Sequence, residues 1–269
     1  MIVENLNSIE NSKLCFFGNG GAFDLDLYNS QGYIHLDKTL ILIDCGEKNI
    51  DILIKFLKKH NSIKNIHLLI THTHSDHVNG LSTFQHYIRF VEKECSLLIY
   101  SHKKISSDIQ TLLKINGNEN FHIIPLENNQ FITIDNLDFT FIDTEHVNNI
   151  TSFGILFSFL KKNYYFSGDS KSIPKEILNL LLDDRIDFLY QDIFPYRLTQ
   201  ITKIDETVPH MKEIEFVKYY PKYFYNKKIK IFFYHNSVYN PHKNILDSIN
   251  GNKIELIARN KEKYFLDLE

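Results

Sequence analysis

The run His-Thr-His-Ser-Asp-His constrains this chain more than any other feature of the sequence. Its four ligand-type side chains lie within six residues: His72, His74, Asp76 and His77. The run directly follows the apolar segment 67–70, which predicts a short buried strand. Imidazole and carboxylate are ligand types that suit Zn²⁺. One ion cannot use all four and keep a position for water. We therefore expect two ions, with the first two histidines on one side of the loop and Asp76 and His77 on the other.

Three further ligand-type residues occupy matching positions, each just past an apolar segment that reads as a strand. They are His146 after LDFTFIDTE, Asp169 in YYFSGDS and His235 in IFFYHNS. Such segments would deliver their following residues to the same end of the sheets. The alternative is a histidine-rich surface loop, which the matching contexts disfavour. The seven residues together predict a two-metal site in which Asp169 bridges the ions.

Strand-like and helix-like segments alternate along the whole chain. Periodicity and turn residues predict strands at 33–37, 40–44, 67–70, 96–100, three over 121–144, a hairpin around 161–163, and strands at 186–191, 229–234, 254–257 and 263–267. They predict helices at 49–60 (with Asn49 as N-cap), about 78–93, 102–116, 174–182 and 209–220. The fold class is therefore α/β, with two facing sheets and helices outside. No linker is evident, so we expect a single domain over 1–269.

Composition excludes several other classes. The net charge of −3 gives no cationic coat for nucleic acid. Three cysteines without paired spacing argue against a disulfide framework or a cysteine-rich zinc knuckle, and they suit a reducing compartment. The N-terminal segment does not resemble a signal peptide, and no apolar run is long enough for a membrane span. We expect a cytoplasmic location, in a bacterium or a phage-infected host, and no membrane partner.

With these motifs in place, the chain resembles the metallo-β-lactamase superfamily over nearly its whole length. The likeness rests on ILIDCG at 41–46, HTHSDH at 72–77, His146, SGD at 167–169 and His235. It implies a four-layer αββα sandwich with a dinuclear metal site between the sheets.

Carried over residue by residue, the resemblance also assigns the ligands. The first metal would be held by His72, His74 and His146; the second by Asp76, His77 and His235; and Asp169 would bridge. Di-iron members of the superfamily usually have Glu where this chain has His74, which favours Zn²⁺, with Mn²⁺ as the alternative. The resemblance further places Asp44 behind the metal-binding loop as a support for ligand orientation. Cys45 is then expected to be a small buried residue and not a ligand.

Within the superfamily, the chain resembles the ribonuclease Z-like phosphodiesterase branch. FFGNGGAFDLDLYNS at 16–30 is similar to that branch's glycine-rich loop, with Gly21 where Ser is usual. DFLYQDIF resembles its His-Glu-Ala-Thr motif, with Asp192 where Glu is usual, and VPHM places His210 where the branch has a proton donor. The resemblance thus implies catalytic roles for Asp76, Asp192 and His210. A capping or surface histidine is the alternative for His210.

The long basic arm by which ribonuclease Z grips tRNA is missing. Only 23 residues (169 − 146) separate His146 from Asp169, and a strand hairpin uses nearly all of them. The chain is most similar to the compact cyclic-nucleotide phosphodiesterases of the phage anti-Pycsar type. This resemblance implies a homodimer that hydrolyses 3′,5′-cyclic nucleotides to monophosphates, in evasion of cyclic-nucleotide immunity.

Two other functions remain open. The first keeps the metals and makes the chain a ribonuclease Z-like RNA 3′-processing endonuclease or another metallo-hydrolase of this fold. The second is a metal-free binder that sequesters a nucleotide. Candidates to stack a nucleobase are Phe23, Tyr28, Phe153 and Phe194, for each of which a place in the core or pocket wall is the alternative.

Overall fold

The computed structural model describes residues 14–24, 26–193, 209–224, 227–235 and 254–256. The chain divides into two compact units, the first ending at Pro125 and the second running from Leu126 to Ile257. The assignment of one domain to 1–269 stays a prediction. The strand predicted at 263–267 and the candidate Phe194 lie outside the described residues.

The first unit contains a six-stranded sheet in the simple order β1 to β6. Its strands are β1 (Cys15–Gly18), β2 (Gln31–Leu36), β3 (Thr39–Ile43), β4 (Asn65–Ile70), β5 (Ser96–His102) and β6 (His122–Leu126). The pairs β1–β2 and β2–β3 are antiparallel, whereas β3–β4 and β4–β5 are parallel. Strand β3 is buried along its full length, as its uninterrupted apolar sequence TLILI predicts.

Four helices accompany this sheet. They are α1 (Ile50–Lys59), α2 (Ser75–Val78), α3 (Leu81–Phe90) and α4 (Lys103–Ile115). The predicted helix 49–60 is confirmed with Asn49 at its N-cap position, although the Asn49 side chain makes no capping hydrogen bond. Instead, Asn49 Oδ1 accepts from the backbone N–H of Asn29, and its Nδ2 donates to the Asn29 carbonyl, both at 2.8 Å.

The helix predicted over about 78–93 is confirmed as α3, which begins at Leu81 and is preceded by the short helix α2 that was not predicted. The two helices are separated at Gly80, where the chain passes close to its own backbone. A Cβ atom at Gly80 would lie 2.6 Å from the carbonyl oxygen of Gly46 and 2.8 Å from that of Cys45. This contact fixes α2, which carries part of the histidine run, against the end of β3.

The second unit contains a seven-stranded sheet in the order β13-β12-β11-β10-β9-β8-β7. Its strands are β7 (Phe131–Ile134), β8 (Leu137–Thr144), β9 (Ser152–Phe159), β10 (Lys162–Phe166), β11 (Phe188–Asp192), β12 (Lys230–Tyr234) and β13 (Ile254–Leu256). Pairing is antiparallel from β7 to β10 and parallel from β10 to β13. Helices α5 (Lys175–Leu182) and α6 (Glu213–Tyr223) contribute Ile177, Leu181 and Phe216 to a core with Leu189 and Phe233.

In each sheet the parallel strands end where the candidate residues begin. The carboxyl ends of parallel strands meet at one edge, which is where open α/β sheets place their ligands. In the first unit, β3 and β4 lead into Asp44 and Thr71. In the second, β10, β11 and β12 lead toward Asp169, Asp192 and His235. None of the helices in the described ranges has the length and apolar character that a membrane crossing requires.

Cys45 follows Asp44 and is completely buried. Burial raises the pKa of its thiol, and the neighbouring Asp44 carboxylate adds to the effect. Because the thiolate is the reactive form, we expect Cys45 in the native protein to resist alkylation, while the exposed Cys15 reacts readily. Iodoacetamide labelling followed by peptide mass spectrometry checks this, with a sample unfolded in guanidinium as the control. Labelling of Cys45 at the rate of Cys15 in the native protein would contradict it.

Candidate functional site

In the first unit, one buried carboxylate orients His77. His77 Nδ1 donates to Asp44 Oδ2 at 2.8 Å, and both side chains are completely buried. A proton on Nδ1 places the imidazole lone pair on Nε2, the arrangement that a metal-ligating histidine needs. Burial raises the pKa of the Asp44 carboxyl, and the charge and hydrogen bonds of His77 and Thr71 oppose that rise.

The same carboxylate orients His72 through Thr71. The Thr71 hydroxyl donates to Asp44 Oδ2 at 2.7 Å, and its backbone N–H donates to Oδ1 at 2.8 Å. Since the hydroxyl proton is used, Thr71 Oγ1 accepts from His72 Nδ1 at 3.0 Å, which again leaves Nε2 with the lone pair. The predicted support role of Asp44 thus has a geometric basis that reaches two of the candidate ligands.

The four side chains of the histidine run form two closely spaced pairs. His72 Nε2 lies 3.1 Å from His74 Nδ1, and His77 Nε2 lies 3.4 Å from Asp76 Oδ2. Two ligand atoms, each ~2.1 Å from a tetrahedral Zn²⁺, are about 3.4 Å apart. Both pairs therefore have a spacing that fits a divalent ion, although the assignment of the run to two ions stays a prediction.

In the second unit, Asp169 lies between two histidines. Its Oδ2 is 3.8 Å from His146 Nε2 and 3.6 Å from His235 Nε2. His146 Nδ1 donates to the carbonyl oxygen of Pro209 at 2.7 Å, so its Nε2 carries the lone pair. Burial lowers the pKa of His146 and favours the neutral imidazole that ligation requires. A carboxylate between two imidazoles suits the bridging role predicted for Asp169.

The segment before Asp169 is fixed by its neighbours. The Tyr234 hydroxyl donates to the Gly168 carbonyl at 2.7 Å, and the Ser152 hydroxyl donates to the Asp169 carbonyl at 3.0 Å. Gly168 adopts φ of 59°, a left-handed conformation that glycine reaches without strain. These contacts turn the chain sharply after β10 and hold the carboxylate, which is almost completely buried.

Asp192 and His210 form the pair that the sequence suggested. His210 Nδ1 donates to Asp192 Oδ2 at 2.7 Å, and the same oxygen accepts the Ser170 N–H at 3.0 Å. Asp192 is completely buried, whereas the His210 side chain is 13% exposed. The shorter side chain of Asp, compared with Glu, therefore does not prevent the hydrogen bond. Ligand-type atoms of Asp169, Asp192, His210 and His235 all lie within 4.8 Å of one another.

Two functional candidates have left-handed backbone. Asp44 has φ of 64° and His235 has φ of 61°. This conformation costs a non-glycine residue about 1–2 kcal/mol, and such positions cluster at functional sites. At both positions the turn comes directly after a parallel strand, so the left-handed residue aims its side chain at the sheet edge.

Several residues of the site have no role in the sequence prediction. Thr71 and Ser170 were missed, although each directly adjoins a candidate ligand and carries a hydrogen-bonding group. Of the stacking candidates, Phe153 is completely buried, as its core reading predicts, while Phe23 is 90% exposed. Sequence patterns identify ligands at strand ends but carry little information about which aromatic rings face solvent.

Comparison with known proteins yields one matching family model. The model described as Anti-Pycsar protein Apyc1 matches residues 12–206 of the chain. An Anti-Pycsar protein Apyc1 of Paenibacillus harenae is 25% identical over 184 residues, which cover 65% of this chain and 74% of that protein. An Anti-Pycsar protein Apyc1 of Bacillus phage vB_BsuM-Goe3 is 30% identical over 95 residues, which cover 31% of this chain and 32% of that protein.

Among solved structures, the metallo-β-lactamase fold protein YhfI from Bacillus subtilis is similar with a TM-score of 0.69. The likeness covers 90% of this chain and 94% of YhfI at 18% sequence identity. At that identity the likeness establishes the fold. The predicted fold class, the α/β metallo-β-lactamase sandwich, is therefore confirmed.

Proposed function

We propose, because the chain belongs to the Anti-Pycsar protein Apyc1 family, that it is a metal-dependent phosphodiesterase. Its proposed reaction is the hydrolysis of 3′,5′-cyclic nucleotides to nucleoside monophosphates. The observation that carries this proposal is the buried Asp169 carboxylate between His146 and His235, with the Asp192–His210 pair beside it. Such a constellation offers metal ligands and a proton donor together, which phosphodiester hydrolysis needs.

The donor set fits divalent cations. It consists of neutral imidazoles and carboxylates with hydrogen-bonded partners that fix the lone pairs of His72, His77 and His146 on Nε2. We propose that His72, His74 and His146 hold one ion, that Asp76, His77 and His235 hold the other, and that Asp169 bridges. Zinc is the expected metal and manganese the alternative. Bound ions of this kind lower the pKa of water to about 7 and neutralise phosphate oxygens.

His210 supplies the proton in this scheme. Its Nδ1 proton is donated to Asp192, so Nε2 is the atom that can pass a proton to the departing sugar oxygen. The buried Asp192 carboxylate stabilises the positive charge of the protonated imidazole and fixes the orientation of its ring. Asp192 is accordingly a positioning residue, and His210 is the catalytic acid.

The compact second unit supports a small substrate over RNA. The stretch between His146 and Asp169 is occupied by β9 and β10, which pair through a tight turn at Leu160 and Lys161. No basic arm is inserted there. Together with a net charge of −3, this favours a nucleotide over tRNA as the substrate.

The proposal also covers the biological role of the protein, its location and its oligomeric state. A relative encoded by a Bacillus phage suggests a role in evading cyclic-nucleotide immunity. Such a role would place the protein in the cytoplasm of the infected cell, where its substrate is made. The expected homodimer follows from the resemblance to compact members of the branch, and analytical ultracentrifugation tests it.

The first test of the proposed function is chromatography of a cyclic-nucleotide panel after incubation with metal-loaded protein. We expect cCMP, cUMP, cAMP or cGMP to yield the monophosphate. The matched control is His77→Ala, which we expect to be inactive. A wild-type protein that converts none of them, while it cleaves a precursor tRNA at its 3′ end, would replace this proposal with the RNA endonuclease.

Asp44→Asn should weaken metal binding. Loss of an outer partner of a metal ligand typically costs about 10–100-fold in affinity, and Asp44 orients two such ligands. Asparagine tolerates the left-handed backbone, so folding is preserved. Competition with a chromogenic chelator measures the affinity.

The matched control for this variant is Asp37→Asn. Asp37 is an exposed residue with φ of 44°, so the same exchange occurs in a similar backbone conformation away from the candidate ligands. Equal metal affinity in the Asp44 and Asp37 variants would show that Asp44 does not support the ligands.

A further inference from the structure

A cavity of about 500 Å³ opens beside His210. It lies within the second unit, and its walls include the carboxylates of Glu145 and Glu215 together with His210, Lys212, Tyr219 and Tyr223. Its volume is within the roughly 300–1,000 Å³ typical of small-molecule sites. Charged and aromatic groups share its surface, a composition that suits a ligand with both polar atoms and a flat ring. We call it the Lys212 cavity.

Lys212 is the unusual member of this wall. It is only 6% exposed, and it is the only buried lysine in the ranges that the structure describes. Its backbone N–H lies 3.3 Å from Glu215 Oε2, so that carboxylate sits at the start of α6. Lys212 therefore supplies hydrogen-bond donors to the wall of the cavity.

The cavity wall is tied to the catalytic segments. The Met211 N–H donates to the Ser170 carbonyl at 2.7 Å, and the Lys171 N–H donates to the Glu145 carbonyl at 2.6 Å. The first bond joins the segment that carries His210 and Lys212 to the one that follows Asp169, and the second joins that latter segment to the residue before His146. The position of Lys212 is therefore set by the same contacts that set the site.

Tyr219 and Tyr223 provide the aromatic part of the wall. Their ring centroids are 5.9 Å apart and the rings are tilted by 51°. Both side chains are half-buried. Base–aromatic stacking contributes to nucleotide binding without demanding one particular base. A tyrosine face beside a lysine thus offers contacts to a ring and to its polar edge.

The proposed role of His210 indicates which part of the substrate the cavity binds. His210 gives its proton to the sugar oxygen that leaves phosphorus, so the atoms attached to that oxygen lie on the His210 side. We propose that the Lys212 cavity binds the nucleoside half of the substrate, with Lys212 donating to an acceptor on the ribose or base and Tyr219 contacting the base. This inference rests on the proposed function and adds two specificity residues to it.

Lys212→Met tests the lysine, because it keeps the length of the side chain and removes its charge. Loss of a hydrogen bond from a charged donor predicts a KM for cyclic nucleotides raised about 10–100-fold, with kcat nearly unchanged. Hydrolysis of bis(p-nitrophenyl) phosphate, which has no nucleoside, should be unaffected. Lys58→Met, at an exposed position of α1, is the control. A KM equal to that control, or equal loss on both substrates, would overturn the inference.

Tyr219→Trp tests the aromatic wall by direct binding. The chain contains no tryptophan, so the new indole reports on the cavity alone. We expect a nucleoside monophosphate to quench its fluorescence saturably, while Phe131→Trp, on exposed β7, shows no such quenching. Equal responses from both variants would overturn the base contact. A wild-type protein that hydrolyses no cyclic nucleotide would instead refute the proposed function, whatever the Lys212 variant does.

Discussion

Asp169→Ala should abolish hydrolysis of cyclic nucleotides. The Asp169 carboxylate lies between His146 Nε2 and His235 Nε2 and is 1% exposed, so its loss leaves the two imidazoles without the group that joins them. We expect kcat to fall by more than the roughly 100-fold that loss of an outer partner costs. Metal content measured by mass spectrometry should fall in the same variant.

Asp108→Ala, at an exposed position of α4, is the matched control for this experiment. Its activity and metal content should equal those of the wild type. Circular dichroism of both variants separates a local loss from unfolding. An Asp169→Ala protein that keeps both its metal and its turnover would refute the bridging role of this residue.

His210→Ala should lower kcat on cyclic nucleotides by about 10²–10⁴-fold, the usual contribution of a positioned general acid. The same variant should retain most of its activity on bis(p-nitrophenyl) phosphate, since nitrophenolate departs without a proton. This dependence on the leaving group distinguishes proton donation from a structural role, which would affect both substrates alike. Steady-state kinetics on the two substrates measure it.

Two further variants sharpen this prediction. Asp192→Asn should show a smaller loss with the same dependence on the leaving group, because Asp192 acts through the hydrogen bond to His210 Nδ1. His86→Ala, on α3 of the first unit, should behave as wild type on both substrates. If His210→Ala loses activity equally on the two substrates, His210 acts as a ligand or a structural group.

Much of the chain's secondary structure follows from local patterns. Strand β3 is an uninterrupted apolar run, and α1 buries Ile52, Leu53, Phe56 and Leu57 on one helical face. Where prediction failed, the cause is tertiary. The helix expected over about 78–93 begins only at Leu81, after Gly80 has approached the backbone that follows β3, and residue spacing along one segment cannot reveal such an approach.

In the candidate site too, some residues could be predicted from local sequence and others could not. Ligand types at strand ends could be predicted because parallel strands share an edge, which grouped Asp169 with His146 and His235, whereas Asp192 and His210 were identified through the family resemblance. The roles of Thr71 and Ser170 could not, because a hydroxyl or backbone N–H has no distinctive spacing in sequence. Lys212 was missed for a similar reason: in a chain with 30 basic residues, only packing shows which one is buried.

The left-handed backbone of Asp44 and His235 has a consequence for protein engineering. Glycine adopts this conformation without the penalty that other residues incur. A redesign that scored backbone conformation alone would therefore favour glycine at both positions. The resulting protein would have lost one of the imidazoles beside Asp169 and the carboxylate that orients two imidazoles, and the buried donors of Thr71 and His77 would have lost their acceptor. Consensus or stability-guided libraries for this family should hold these two positions fixed.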